Sequence, residues 1–317
     1  MTTAIALWLL GGGGLALYAG WAAMAIAGGA SPWGYLAGLP LLYLAVLCAF
    51  TLFWFALAWA FRATRPPDKR IGVAATIRLF AGELRAIRRA GPRMALYRHL
   101  MPEPAPAPAE APILLLHGLL CNAGVMVGLR GALVARNVGP VYALSYGPPL
   151  ASIDAFADQV AAKIDAILEA TGAARVAIVG HSMGGLVARA YLRRYGAQKV
   201  STVMTLGAPH HGSVHAWLFP GISLAQLRPG NAWLADLNRT EGAPVGVRVV
   251  SLWSWHDSMV APQTSSRLAG AENIELAGIG HNALLGDRRV FALVAEELQR
   301  VAAPDAAVRD GHSQRDG

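Results

Sequence analysis

Val176-Ala177-Ile178-Val179 runs without a break into Gly180-His181-Ser182-Met183-Gly184. An apolar run of this length bounded by glycine reads as a buried strand, and the stretch from Gly184 to Tyr195 reads as a helix. Ser182 therefore stands at the apex of a sharp strand-to-helix turn, the G-x-S-x-G elbow. The turn forces strained backbone angles and close strand–helix packing, which glycine at the flanking positions tolerates. It lifts a weakly nucleophilic hydroxyl clear of the sheet, where a base can reach it. The helix that follows points its free N–H groups at the same place and favours a developing negative charge.

The surrounding chain alternates in the way such a unit requires. Strands are predicted near 113–117, 140–145, 176–180, 200–206, 246–253 and 273–276. Helices are predicted near 123–137, 152–171, 184–195 and 288–302. This alternation implies an α/β fold over 113–302: a mostly parallel sheet with helices on both faces. The connection 208–246 is too long for an ordinary loop. It is rich in large apolar residues and predicts a small cap or lid over an apolar pocket, with Trp217 and Phe219 as substrate contacts.

The partners of Ser182 follow in the order acid, then histidine. Asp257 sits just past the strand that ends near Trp253, and His281 follows the short strand Asn273-Ile274-Glu275-Leu276. Both lie beyond carboxyl ends of strands, where ligands bind open α/β sheets. Asp236 and Asp287 are rival carboxylates, but the first lies in the helical insert and the second follows the histidine. Upstream, Ile113-Leu114-Leu115-Leu116 enters the turn His117-Gly118-Leu119. The Leu119 and Met183 N–H groups are the expected oxyanion donors, with His117 shaping that turn at the substrate. Adjacent His210 and His211 are unsuited to chelating one ion together. Cys121 reads as a packing residue, and a disulfide with Cys48 is not expected.

These segments resemble the bacterial lipases of the α/β-hydrolase superfamily and the related GPI-inositol-deacylase-like hydrolases. The matching stretches are Leu114 to Asn122, Val179 to Leu192, Thr205 to Ser213, His256 to Pro262 and Gly278 to Leu285. The resemblance covers about 112–301. It implies an esterase-type serine hydrolase working through an acyl-enzyme, with Ser182, Asp257 and His281 as the triad and lipid or other hydrophobic acyl esters as substrates. Phospholipase, lipid-anchor deacylase, intracellular polyester depolymerase and acyltransferase share that chemistry. A catalytically silent membrane scaffold is the rival from another class, and it has no need of the three residues together. The calcium site of some relatives is not carried over, because no acidic pair flanks the His281 loop; no metal and no cofactor are expected.

Residues 1–61 contain no Asp, Glu, Lys or Arg. Two apolar stretches, about Ala4 to Gly28 and Leu36 to Phe61, are each long enough to cross a hydrocarbon core of about 30 Å. The turn-forming residues between them predict a transmembrane helical hairpin over 1–62, with Gly11 to Gly14 as the place where the helices approach closely. The segment from Arg62 to Arg98 then carries ten basic residues against Asp68 and Glu83, and this is the whole of the chain's net +8. Its apolar residues recur near a helical period, which predicts a basic amphipathic helix within 63–100 lying on an anionic membrane surface. Nucleic acid is the weaker partner for such a helix immediately after a membrane hairpin. Alternating proline over 101–112 predicts an extended spacer, and polar 303–317 predicts a disordered tail. The positive-inside bias places the catalytic part in the cytoplasm, under a bacterial inner membrane crossed twice.

Overall fold

A computed structural model describes residues 3–239 and 246–302. Six strands form one sheet: β1 Ile113–Leu116, β2 Val141–Leu144, β3 Val176–His181, β4 Val200–Leu206, β5 Arg248–Ser254 and β6 Glu272–Leu276. Their order is β2-β1-β3-β4-β5-β6 and every neighbouring pair is parallel. Parallel strands buried on both faces need apolar side chains on both faces, and β1 and β3 supply them. Leu114, Leu116, Val176 and Ile178 enter one core layer, whereas Ile113, Leu115, Ala177 and Val179 enter the other.

Helices cover both layers. On the first face lie α6 (Ile153–Thr171) and α7 (Met183–Tyr195), through Phe156, Val160, Ile164, Leu186 and Val187. On the second lie α5 (Val127–Val134) and α10 (Arg288–Ala302), through Leu129, Leu133, Val290 and Val294. Sequence caps set their ends. Ser152 Oγ accepts from Ala155 N at 3.1 Å at the start of α6, and Gly172 ends it at φ 70°. From β1 the chain goes outward to β2 and then returns to β3 on the other side. The crevice between β1 and β3 is therefore a topological switch point, with their carboxyl ends at its mouth.

The long 208–246 connection is not a free-standing cap. Short helices α8 (Ile222–Gln226) and α9 (Ala232–Arg239) bring Leu224, Leu227, Leu234 and Leu237 into the main core. Arg193 Nη1 binds Asp236 at 2.6 Å, and Trp233 Nε1 donates to Asp154 at 2.7 Å. The last residues of the expected cap, 240–245, and the expected tail, 303–317, lie outside the described residues.

The N-terminal part forms α1 (Thr3–Ala27), α2 (Pro32–Ala60), α3 (Val73–Ala95) and the single turn α4 (Tyr97–Leu100). At 1.5 Å per residue, the 25 residues of α1 and 29 of α2 reach about 37 and 43 Å. Their apolar side chains face outward: Leu10 is 76% and Leu17 is 78% exposed. Three expectations change here. Gly11 to Gly14 do not seat the second helix, since a Cβ at any of them would meet nothing within 4 Å; Tyr18 and Trp21 meet Tyr35 instead, near the turn. The proline-rich segment has no helix or strand and is gripped by the domain, with Arg130 donating to the Pro102 carbonyl at 2.8 Å and Lys163 binding Glu103 at 2.7 Å. And α3 does not lie apart from the catalytic unit: Leu79 and Glu83 are buried in its docked face.

Candidate active site

Ser182 sits between β3 and α7 at φ 56° and ψ −127°, a left-handed φ that L-residues rarely take. Two glycines make the turn possible. A Cβ on Gly180 would lie 2.5 Å from the Gly184 carbonyl carbon, and one on Gly184 would lie 2.5 Å from the Leu116 carbonyl oxygen of β1. Ser182 N donates to the Leu206 carbonyl at 2.9 Å, which ties the elbow to the end of β4.

Asp257 and His281 come from the loops after β5 and β6. Asp257 Oδ2 accepts from His281 Nδ1 at 2.8 Å, and its Oδ1 accepts from the backbone of Met259 and Val260, each at 2.7 Å. The carboxylate is thus fixed by two amides before it meets the ring. Both side chains are almost inaccessible, 1% and 4% exposed. Gly207, at φ 58° just after Leu206, presses against the pair, for a Cβ there would lie 3.0 Å from Asp257 Oδ2 and 3.3 Å from His281 Nδ1. Ser182, Leu206–Gly207 and the Asp257–His281 pair are therefore one cluster. Ser182 Oγ makes no hydrogen bond among the described residues, which is common before substrate draws nucleophile and base together.

The rival carboxylates are occupied elsewhere. Asp236 binds Arg193 and Arg239, and Asp287 binds Arg289, which holds its carboxyl below the usual range despite partial burial. Burial tends to lower the His281 pKa, but the charge and hydrogen bond of Asp257, with the charge of Glu83, outweigh it and raise it.

The turn expected to bind an oxyanion packs against the Ser182 elbow. Gly118 is so close to Ser182 that an added Cβ would lie 3.0 Å from Ser182 Cβ and 3.5 Å from its Oγ. Leu119 follows directly, half-buried, and Met183 is the first residue of α7, where helical N–H groups lack internal acceptors. His117 is fully buried and stacks on Tyr146 at 4.0 Å between centroids; burial lowers its pKa to about 4. Its Nδ1 lies 2.8 Å from the Gly118 carbonyl of the same turn. Burial pushes the Cys121 thiol up to about 12, so no thiolate competes with the serine.

Trp217 and Phe219 are 61% and 52% exposed, in an exposed apolar stretch with Leu218 and Ile222. Arg228 lies over the Trp217 ring at 4.6 Å. Among the described residues no three His, Cys, Asp or Glu converge as a metal site. A cavity of about 550 Å³ lies between the His281 loop and α3, and Arg78, Arg85, Arg89 and Arg93 line it. Sequence reasoning missed one residue of this site, Glu83, whose carboxylate binds the His281 loop.

The parallel sheet with helices on both faces is an α/β-hydrolase-type fold, and residues 143–286 match the family described as alpha/beta hydrolase fold. A triacylglycerol lipase of Pseudarthrobacter phenanthrenivorans and one of Burkholderia plantarii are each 44% identical to this chain over 59 residues. Those residues are 19% of this chain and only 18% and 16% of the two lipases. Among solved structures, the mature form of a Bacillus licheniformis lipase is similar at a TM-score of 0.54 and 19% identity, covering 62% of this chain and 95% of its own. Lipase B of Aspergillus fumigatus is similar at 0.54 and 20% identity, covering 63% and 56%.

Proposed function

We propose that this protein is a membrane-anchored serine carboxylester hydrolase acting on lipid or other hydrophobic acyl esters. The observation that carries the reading is the strained Ser182 apex clustered with a buried Asp257–His281 pair joined at 2.8 Å. His281 Nε2 takes the Ser182 proton as Oγ attacks the ester carbonyl. Asp257 holds the Nδ1–H tautomer and stabilises the imidazolium. The Leu119 and Met183 amides receive the oxyanion, each lowering the barrier by about 3 kcal/mol. The alcohol leaves with the proton from His281, and water, activated by the same ring, releases the acid from Ser182.

Anchoring is supported by the outward apolar faces of α1 and α2, which would be untenable in water. They suit a bilayer, with the catalytic unit at one end of the pair. There Trp54 of α2 packs on His215 at 5.1 Å, and Gln263 Oε1 accepts from Ala63 N at 3.2 Å. The α3 arginines, without carboxylate partners among the described residues, suit the anionic head groups of a bacterial inner leaflet.

A fluorophosphonate probe and a panel of p-nitrophenyl esters test the assignment on the full chain. Wild-type protein should label and hydrolyse, and Ser182→Ala should do neither. Labelling that survives Ser182→Ala, or no hydrolysis of any ester by wild type, would refute it.

A further inference from the structure

The structure assigns to Glu83, on the helix that joins the hairpin to the catalytic unit, the role of a positioning residue for the Asp257–His281 pair. The inference rests on the catalytic reading of that pair given above. Glu83 is the only acidic residue of α3 and is 1% exposed. Among the described residues no cation pairs with it. Its carboxylate instead takes four neutral donors: Oε1 accepts from Ser258 Oγ at 2.7 Å, Asn282 N at 3.0 Å and Asn282 Nδ2 at 2.8 Å, and Oε2 accepts from Ala283 N at 2.9 Å.

These partners flank both halves of the pair. Ser258 follows Asp257, and Asn282 and Ala283 follow His281. Ser258 Oγ also accepts from His281 N at 3.4 Å, so one chain of hydrogen bonds runs from the His281 backbone through Ser258 to Glu83. On the other side of the histidine, a Cβ on Gly280 would collide with the Glu83 carboxylate. Glu83 thus staples the acid loop to the base loop from outside the sheet.

A buried carboxylate without a cation carries a desolvation cost, which its hydrogen bonds must offset. An apolar side chain here would avoid that cost but leave the Asn282 and Ala283 amides without acceptors. Glu83 also contributes charge. The groups that act electrically on His281 are Asp257 after β5, Glu83 on α3, His181 on β3 and His215 before α8, and the two carboxylates favour the imidazolium. The segment that anchors the protein therefore completes its active site. A catalytic unit cut free of α3 would keep its three catalytic residues and lose their alignment.

The test uses the full chain in detergent micelles with p-nitrophenyl butyrate, comparing wild type, Glu83→Gln, Glu83→Asp and Leu79→Ala. Glu83→Gln should lower kcat ~10-fold or more with KM within about twofold. It should also move the acid limb of kcat/KM to lower pH and speed amide exchange across residues 278–286. Glu83→Asp should recover part of kcat and restore the acid limb. Leu79→Ala loosens the same helix without touching the carboxylate, so it should lower the melting temperature and leave the acid limb in place. A folded Glu83→Gln with wild-type kcat, acid limb and loop exchange would overturn the assignment. If Glu83→Gln does not fold, Glu83→Asp decides: wild-type kcat and loop exchange count against the staple, and reduced kcat at unchanged KM counts for it. Hydrolysis that persists in Ser182→Ala would sink the catalytic reading separately, and loop exchange would still decide whether Glu83 orders the His281 loop.

Discussion

His181 and His281 lie ring against ring, 4.6 Å between centroids, and His181 Nε2 donates to the His281 carbonyl at 3.1 Å. A carbonyl only accepts, so the His181 proton sits on Nε2. The two rings titrate in opposite directions. Burial first, and then the charge of His281, lowers the His181 pKa to about 3, whereas Asp257 and Glu83 overcome burial and raise that of His281. One ring stays neutral as a support while its neighbour is poised to take up a proton.

The pH–rate profile should report that asymmetry. His281 must be neutral to act as base, so kcat/KM should fall on the acid side with an apparent pKa above 6.5, the ordinary histidine value. Asp257→Asn removes the larger favourable charge and presents the wrong hydrogen-bonding face to Nδ1. By analogy with the serine-protease triad it should cost about 10,000-fold and move the acid limb downward. Asp236→Asn and Asp287→Asn should stay within about threefold of wild type, because their carboxylates bind arginines away from Ser182. Loss of activity in either, with Asp257→Asn active, would reassign the acid.

Ser182→Gly should raise stability while abolishing hydrolysis. The apex stores strain of about 1–3 kcal/mol at φ 56°, which glycine relieves at an entropic cost of about 0.5–1 kcal/mol. A net gain of about 1 kcal/mol corresponds to a melting temperature roughly 2–4 °C higher. Ser182→Ala keeps its Cβ and should show no such gain. Equal melting temperatures for the two variants would mean that the elbow is unstrained.

Acid should unfold the protein well before its carboxylates titrate. His117, His215 and His256 are lowered to about 4 and His181 to about 3, with burial the leading cause in each. A histidine whose folded pKa is depressed stabilises the fold fully above its unfolded value near 6.5, and that contribution is lost as pH falls towards the folded value. Each such ring weakens the fold by up to about 1.4 kcal/mol per pH unit in that window. His281 has the opposite sign, so its contribution is present below 6.5 and lost as pH rises through its raised pKa. Burial lowers His210 as well, so the depressed rings outweigh the one that is raised. Melting temperatures recorded between pH 7 and pH 4 should drop steeply, and a flat profile would contradict the buried neutral rings.

The core of this site was legible because its residues announce themselves locally. Ser182 is framed by glycines, Asp257 follows the apolar strand β5, and His281 follows the short strand β6. Glu83 carried no such frame, because an acid among arginines on an amphipathic helix reads as a solvated charge. Its one signal is position: it lies four residues after Leu79 and three before Ala86, on the face that docks. The grip on the proline-rich segment was equally hidden, since Arg130 and Lys163 lie far along the chain from Pro102 and Glu103. Periodicity reports which face of an element is apolar, not which distant element will cover it.

Replacing Trp217 and Phe219 together with alanine should leave stability within about 0.5 kcal/mol, because both are more than half exposed. Hydrolysis of long-chain esters presented on vesicles should fall several-fold, while soluble butyrate esters should be little affected. Matching losses on both substrates would assign the two residues a role at Ser182 itself.

Both ends of the hairpin meet the catalytic unit, and this constrains its topology. Near the start of α1, Thr3 Oγ1 donates to the Cys121 carbonyl of the catalytic unit and Trp8 Nε1 to the Ala95 carbonyl at the end of α3, each at 3.2 Å. After α2, Arg65 Nε donates to the Trp255 carbonyl at 2.9 Å. A two-pass hairpin returns its ends to one side of the membrane, so these contacts and the hairpin support each other. The ten basic residues from Arg62 to Arg98 favour the cytoplasmic side for that shared face. Each one near an anionic leaflet adds on the order of 1 kcal/mol. Alkaline phosphatase fused after residue 317 should therefore stay inactive in bacterial cells, and protease added to intact spheroplasts should spare the catalytic unit. Active fusions together with cleavage would reverse the orientation and move the substrates to the outer leaflet or the envelope.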